Sequence, residues 1–382
     1  MRVAHPAHPL PVKIERLELR LLRLPLVRHF ETSFGRSYDR TFLLVRVECG
    51  GISGWGECVA EHNPYYSSET TGTAWHVIEA FLAPLVLGAA FTHPREVHAA
   101  LARVRGHQMA KAAVEMAAWD LFARRQQVPL WQALGGTNRA IDSGVSIGIQ
   151  DSLDELAERV GIERRAGYQR IKIKIKPGWD VDAVDRLRQQ FGDIPLMVDA
   201  NAAYTLEDAP HLATLDRFDL MMIEQPLDYD DVQDHARLQA GLETPVCLDE
   251  SITTPRLAAL AISLGACRII NIKPGRLGGF SEALRVHDLC ASHGVPVWHG
   301  GMLESGIGRA ANLHLSTLPN FRLPGDIAAS KRYYAPDLID PPIDVREDGT
   351  VPVPSDGPGL GVHLVPDRVE GATLRRSEIV ES

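Results

Sequence analysis

The chain has 382 residues, 45% hydrophobic and 23% charged, which is the balance of an ordinary folded protein able to bury a core without disulfide or metal staples. Its formal net charge of −9 argues against nucleic acid as a general partner, because phosphate binding needs a basic surface. No stretch is apolar for the ~18 residues of a membrane span, and the scattered cysteines Cys49, Cys58, Cys247, Cys267 and Cys290 lack metal-ligand spacing, so reduced thiols in a cytoplasmic protein are expected.

In chain order, the first eleven or so residues read as a loose tail, broken by prolines and without the apolar core of a signal peptide. KIERLELRLLRLPL and TFLLVRVE then alternate as half-buried strands around a polar loop, RHFETSFGRS. Gly50, Gly51 and Gly54 punctuate a hairpin to a third strand near Trp55–Val59. The alanine-rich MAKAAVEMAAWDLFARRQQ predicts a packed helix, so residues 1–137 read as an α+β capping unit.

From Ile141 the grammar changes. Short apolar runs (DSGVSIG, RIKIKI, PLMVDAN, LMMIEQP, TPVCLDES, CRIINIK, VPVWHGG) alternate with helical stretches, predicting seven parallel strands over 138–330. At this count a closed barrel is more economical than an open doubly wound sheet, and no GxGxxG or Walker-type loop opens the first unit. The Pro- and Gly-rich 331–382 is expected to return to the cap.

Charged residues recur where strands end: Lys174, Asp199, Glu224, Asp249 and Lys273, at intervals of 25, 25, 25 and 24 residues, about one βα unit each. Those ends form the face on which β/α barrels place their sites. Three carboxylates on consecutive strands, with no His or Cys beside them, suit a hard divalent cation, Mg²⁺ or alternatively Mn²⁺. Capping of the next helix is the plainer role for any one of them. Period-2 alternation in RIKIKIKP turns Lys172, Lys174 and Lys176 to one face and the isoleucines to the other. Lysines on the second and sixth of eight positions stand opposite each other. That suits proton removal beside a carboxylate whose developing charge a metal offsets, in the manner of the enolase superfamily, a case already well established. Nearby cations are expected to lower the pKa of the basic lysine.

The runs KIKIKPGWD, VDANAAYTLED, IEQPL, CLDES, NIKPGRLGG and WHGGMLESGIGRA resemble the muconate-lactonising branch of the enolase superfamily. Within it, the chain is similar to the N-succinylamino-acid racemase / o-succinylbenzoate synthase family, from HFETSFG through NFRLPGD. The resemblance implies an α/β fold, a (β/α)7β TIM-type barrel with an α+β N-terminal capping domain. It implies Lys174 and Lys273 as acid/base pair, Lys172 facing the substrate carboxylate, and Asp199, Glu224 and Asp249 on Mg²⁺. Asn201 and Glu250 would orient these groups, and Ser146, Asn201, Gly301 and Met302 would line the substrate pocket. Arg276 matches an arginine of the racemising branch, where it would tune Lys273; a helix-start surface arginine is the alternative. Phe30, Thr32 and Tyr65, with its neighbour Tyr66, are lid candidates, ordinary cap packing being the other reading of the tyrosines. His299 stands where the mandelate-racemase branch has a histidine base, but a supporting histidine is the expectation here.

The implied activity is racemisation of N-succinyl amino acids, with dehydration to o-succinylbenzoate on the same site. Dipeptide epimerase, muconate cycloisomerase and a catalytically silent metal-binding barrel are the alternatives. GGMLES lacks the DxD that dipeptide epimerases carry near the eighth strand. The expected partner is a small carboxylate substrate, and a homo-oligomer is the default assembly.

Overall fold

The structure, a computed structural model, describes residues 11–32, 35–137 and 139–381. The expected loose tail therefore lies almost wholly outside the described residues. Alternating apolar residues build an antiparallel meander of β1 (Arg16–Thr32), β2 (Gly35–Cys49) and β3 (Ile52–Cys58). The described residues of the polar run expected as a loop are instead paired strand of the β1–β2 hairpin, with Phe30 opposite Ser37 and Thr32 opposite Gly35. Polarity there signals exposure, and cross-strand pairing still satisfies the backbone.

Helices α1 (Thr71–Val77), α2 (Pro94–Leu101) and α3 (Gln108–Arg125) follow. Small residues let α3 lie almost against the sheet: a Cβ on Gly54 or Gly56 would come within 2.2 Å of Ala117 O or 2.1 Å of Ala113 O. Gly54 thus serves close packing and not only the hairpin.

The ring comprises β4 (Gly144–Ile147), β5 (Arg170–Lys174), β6 (Leu196–Asp199), β7 (Ile223–Glu224), β8 (Val246–Leu248), β9 (Ile269–Ile272) and β10 (Val297–His299). All are parallel and hydrogen-bonded in chain order. Residues 320–326 occupy the eighth position: parallel bridges Val297–Phe321 and Ser143–Gly325 join the last strand to the first. Outside lie α4 (Leu153–Arg165), α5 (Val181–Phe191), α6 (Val232–Gly241), α7 (Pro255–Leu264), α8 (Phe280–Ser292) and α9 (Gly306–Leu315). The helix expected up to Leu215 is broken into short turns around Ala209–Leu212, with Pro210 in its first turn. Met197, Met222, Cys247, Ile269 and Trp298 plug the ring interior below the polar end. The chain closes with β11 (Thr373–Val380), antiparallel to β1. Among the described residues no helix is long and apolar enough to cross a membrane.

Buried carboxylates stitch the cap to the ring. Glu115 of α3 accepts from Phe280 N at 2.8 Å and Ser281 N at 2.9 Å, the first turn of α8. Glu57 of β3 accepts from Ser305 N and Gly308 N, both at 3.1 Å, at the start of α9. Helix N-termini offer unpaired amides and a positive dipole end, so these acids satisfy donors that apolar packing would strand.

Candidate active site

Strand register decides which charges meet. Lys174 lies opposite Asp199, and Asp199 opposite Glu224, so three neighbouring strands carry charge at one level; Asp249 follows two residues beyond Cys247, the partner of Glu224. Alternation holds as read: Lys172 and Lys174 point into the ring while Ile171 and Ile173 join the core beneath the helices. Lys172, Lys174 and Lys273 are only 4%, 7% and 6% exposed, so each charge must find a partner inside.

Lys174 Nζ donates to Asp199 Oδ2 and Asn201 Oδ1, each at 2.6 Å. Lys172 Nζ meets Glu224 Oε2 at 3.0 Å and Asp199 Oδ2 at 3.3 Å, and lies over the Trp298 ring, 4.8 Å from its centroid. Lys273 Nζ donates to Asp249 Oδ2 at 2.7 Å and to Tyr66 Oη at 3.1 Å. Asn201 also donates to Glu250 Oε1 at 2.8 Å, linking the far side of the cluster. Burial works against the charge of Asp199, but Lys174 and Lys172 outweigh it and hold the carboxyl well below the usual range. Glu224 is shifted upward, by burial first and by Asp199 next.

Among the protein's own groups, the net shift of Lys172 and Lys273 is upward, although Arg170 acts to lower Lys172. Burial disfavours both ammoniums, yet Asp326, Glu224 and Asp199 hold Lys172 above its ordinary pKa, and Tyr66, Glu250 and Glu224 do so for Lys273. Carboxylates are simply the nearer neighbours. Arg276 is no surface arginine: it is buried, bound to Asp249, and donates to Ile252 O at 2.8 Å and Asn271 O at 2.7 Å.

The two lysine-bearing walls enclose one small recess of about 60 Å³, which Ser146, Gly301 and Phe30 also line, and a neighbouring lobe of about 70 Å³ adds Thr32, Asn201 and Met302. Gly301 has to lack a side chain, since a Cβ would stand 2.6 Å from Asp326 O. Of the tyrosines, Tyr65 is 68% exposed and lines neither lobe, whereas Tyr66 lines the second lobe and reaches Lys273. His299 is buried and stacked on Phe321 with centroids 6.1 Å apart, burial lowers its pKa to about 3, and it lines neither lobe of the recess.

Sequence reasoning missed two polar partners. Asp326, at the end of the eighth position, accepts from Lys172 at 2.6 Å and from Arg170 at 2.7 Å. It lies 53 residues beyond Lys273, about two further units, so the same beat pointed to it. Asn271, two residues before Lys273 and hence on its face, donates to Glu224 Oε1 at 2.6 Å.

A divalent cation fits the donor set. Among the described residues no three His, Cys, Asp or Glu side chains stand gathered in metal-binding geometry, because the lysines and Arg276 hold the acids. Yet Asp199, Glu224 and Asp249 are buried all-oxygen donors from adjacent strands, and burial first, with the charge of Asp199 next, raises the pKa of both Glu224 and Glu250. Glu250 Oε2 and Asn271 Oδ1 are buried without partners. Mutually repelling oxygens with unused acceptors are what a hard cation satisfies.

Comparison with known proteins agrees with this geometry. Residues 18–135 match the mandelate racemase / muconate lactonizing enzyme N-terminal domain, and 153–368 match the enolase C-terminal domain-like family. The chain belongs to this enolase-superfamily family. It is 53% identical to o-succinylbenzoate synthase of Geobacillus kaustophilus over 95% of this chain and 96% of that one. It is 50% identical to N-succinylamino acid racemase of an Amycolatopsis species over 96% and 99%. Among solved structures, an enolase-superfamily member from Listeria innocua superposes with a TM-score of 0.93 at 39% identity, covering 97% of this chain and 99% of that one.

Proposed function

We propose that this enzyme racemises N-acylated amino acids, N-succinyl derivatives foremost, by proton transfer between Lys174 and Lys273 across the α-carbon. One observation carries the reading: buried lysines from the second and sixth ring positions line a single recess, with Asp199 paired to Lys174, Glu224 to Lys172 and Asp249 to Lys273. Relatives at 50–53% identity named as a racemase and as a synthase of this kind support it.

Asp199, Glu224 and Asp249 would hold Mg²⁺, or Mn²⁺ in its place. When bound, the cation would neutralise the carboxylates that keep the lysines charged and offset charge on the substrate carboxylate. One lysine, as the neutral amine, takes the α-proton while the electron pair passes into the adjacent carboxylate. The other, as the ammonium, returns a proton to the opposite face, and the roles exchange for the enantiomer. Lys172 sits where it can pair with the substrate carboxylate, and Asn201 and Glu250 hold Lys174 and the acids in place. Phe30, Thr32 and Tyr66 cover the recess. Dehydration to o-succinylbenzoate needs only Lys174 as base, with Lys273 left as a cation.

A dipeptide epimerase reading is weaker. The eighth position ends Gly325–Asp326 with Ala328 two residues on, and Asp326 is committed to Arg170 and Lys172. The test is ¹H NMR in D₂O with Mg²⁺ and a panel of N-acylamino acids. Deuterium should enter the α-carbon of both enantiomers, and racemisation without exchange would refute the mechanism.

A further inference from the structure

Beyond Phe30 and Tyr333, which wall the catalytic recess, lies a larger cavity of about 310 Å³. Its boundaries come from segments far apart in the chain: Arg28–Glu31 of the hairpin, Ile147–Gln150 after β4, Arg159 of α4, and Arg332 beside Tyr333. Arg332 lies directly behind the catalytic recess, donating through Nη2 to Ser146 O at 2.8 Å. The cavity thus adjoins the recess on its Ser146 side.

Guanidiniums outnumber their counter-charges here. Glu163 serves both Arg332 and, at 3.2 Å, Arg159. Arg28 has no acidic partner among the described residues, and Arg332 Nε is buried without an acceptor. The lining acids are Glu31, already bound to Arg36 at 2.6 Å, and the exposed Glu155 at the rim. Arg159 is lowered by burial first and by Arg332 next, with Arg28 adding to it, as expected where cations crowd. Phe30, Ile147 and Ile149 supply apolar wall between the recess and the arginines.

We infer that this cavity is an anion subsite that takes the distal carboxylate of a dicarboxylic acyl group, its methylenes lying along Phe30 and Ile147. The inference rests on the N-acylamino-acid reading above and deepens it: a dicarboxylic acyl chain is selected over a monocarboxylic one of equal length. Guanidinium groups suit the task because they meet carboxylates through paired, charge-assisted hydrogen bonds.

The test compares kcat/KM of the Mg²⁺-loaded enzyme for N-succinyl and N-butanoyl derivatives of one amino acid, which differ by the carboxylate. The succinyl-over-butanoyl ratio should fall at least about tenfold in Arg28→Gln and further in Arg28→Glu, while Arg28→Lys retains most of it. Arg28 is exposed on the hairpin, so these variants should fold. An unchanged ratio in both Arg28→Gln and Arg28→Glu overturns the subsite. Thermal shift separates this from the reaction itself. Should the wild type exchange no α-proton, the proposed activity fails. Stabilisation by succinate but not butyrate, lost in Arg28→Glu, then still supports the subsite, and equal response to the two acids overturns it.

Discussion

The seam between cap and ring and the mouth of the ring both bury carboxylates, but different donors answer them. At the seam, Glu115 and Glu57 accept from backbone amides at the starts of α8 and α9, and Asp120 accepts from Trp55 N at 2.9 Å and Leu360 N at 2.7 Å. Those donors are fixed by the fold. At the mouth the donors are lysine ammoniums on flexible stems, and Ser146 Oγ, Glu250 Oε2 and Asn271 Oδ1 remain buried without partners. The backbone also departs from relaxed geometry there: Asn201, Gln225 and Leu303 hold φ values of 44°, 39° and 57°, a cost of about 1–3 kcal/mol each. A closed network stabilises; an open, strained one is arranged for a ligand.

Substitutions can break this contrast by moving activity without stability, or the reverse. The largest effect is expected from Lys174→Arg and Lys273→Arg. Each should lower racemisation by about 10²–10⁴-fold with little change in melting temperature. Lys273→Arg should spare dehydration more than Lys174→Arg does, and equal losses in that assay would contradict the division of roles. Removing divalent cations with a chelator should abolish exchange until Mg²⁺ is restored.

At the seam, Glu115→Ala strands two buried amides and should cost about 2–5 kcal/mol in denaturant unfolding while leaving KM near its original value. A stability loss no larger than that of the lysine variants would erase the distinction.

Glu57 sharpens the contrast through pH. Burial first, and Glu304 next among the upward influences, push its carboxyl up to about 7, above the unfolded value near 4.5. Its protonated form therefore favours the folded state fully below pH 4.5, and that stability is lost as pH rises toward 7, up to about 3 kcal/mol in all. Glu57→Gln should flatten this part of the profile. Parallel wild-type and variant curves of melting temperature against pH would show the assignment to be wrong.

The smallest effects separate the tyrosines. Tyr66→Phe removes the hydroxyl that meets Lys273 and should slow exchange about tenfold or less. Tyr65→Phe should change neither rate nor stability measurably, and any comparable slowing would return the lid to Tyr65.

Much of this was legible before any coordinates. Parallel strands show as apolar runs at a regular interval, so the βα grammar and the positions of Lys174, Asp199, Glu224, Asp249 and Lys273 follow from spacing alone. Alternation likewise set which face of RIKIK looks inward. Only tertiary structure decided the rest. The tyrosine that enters the site depends on the path of the cap, where neighbouring residues face opposite ways. The partners of buried acids depend on which helix start lies within hydrogen-bond reach, a long-range fact: Glu115 meets Ser281, 166 residues away. Ring closure brought Asp326 to Lys172, and the packing of the cap hairpin on the ring set Arg28 near Arg159 and Arg332. Periodicity encodes the direction of a side chain along its own element; what that side chain meets is fixed when elements distant in sequence pack together.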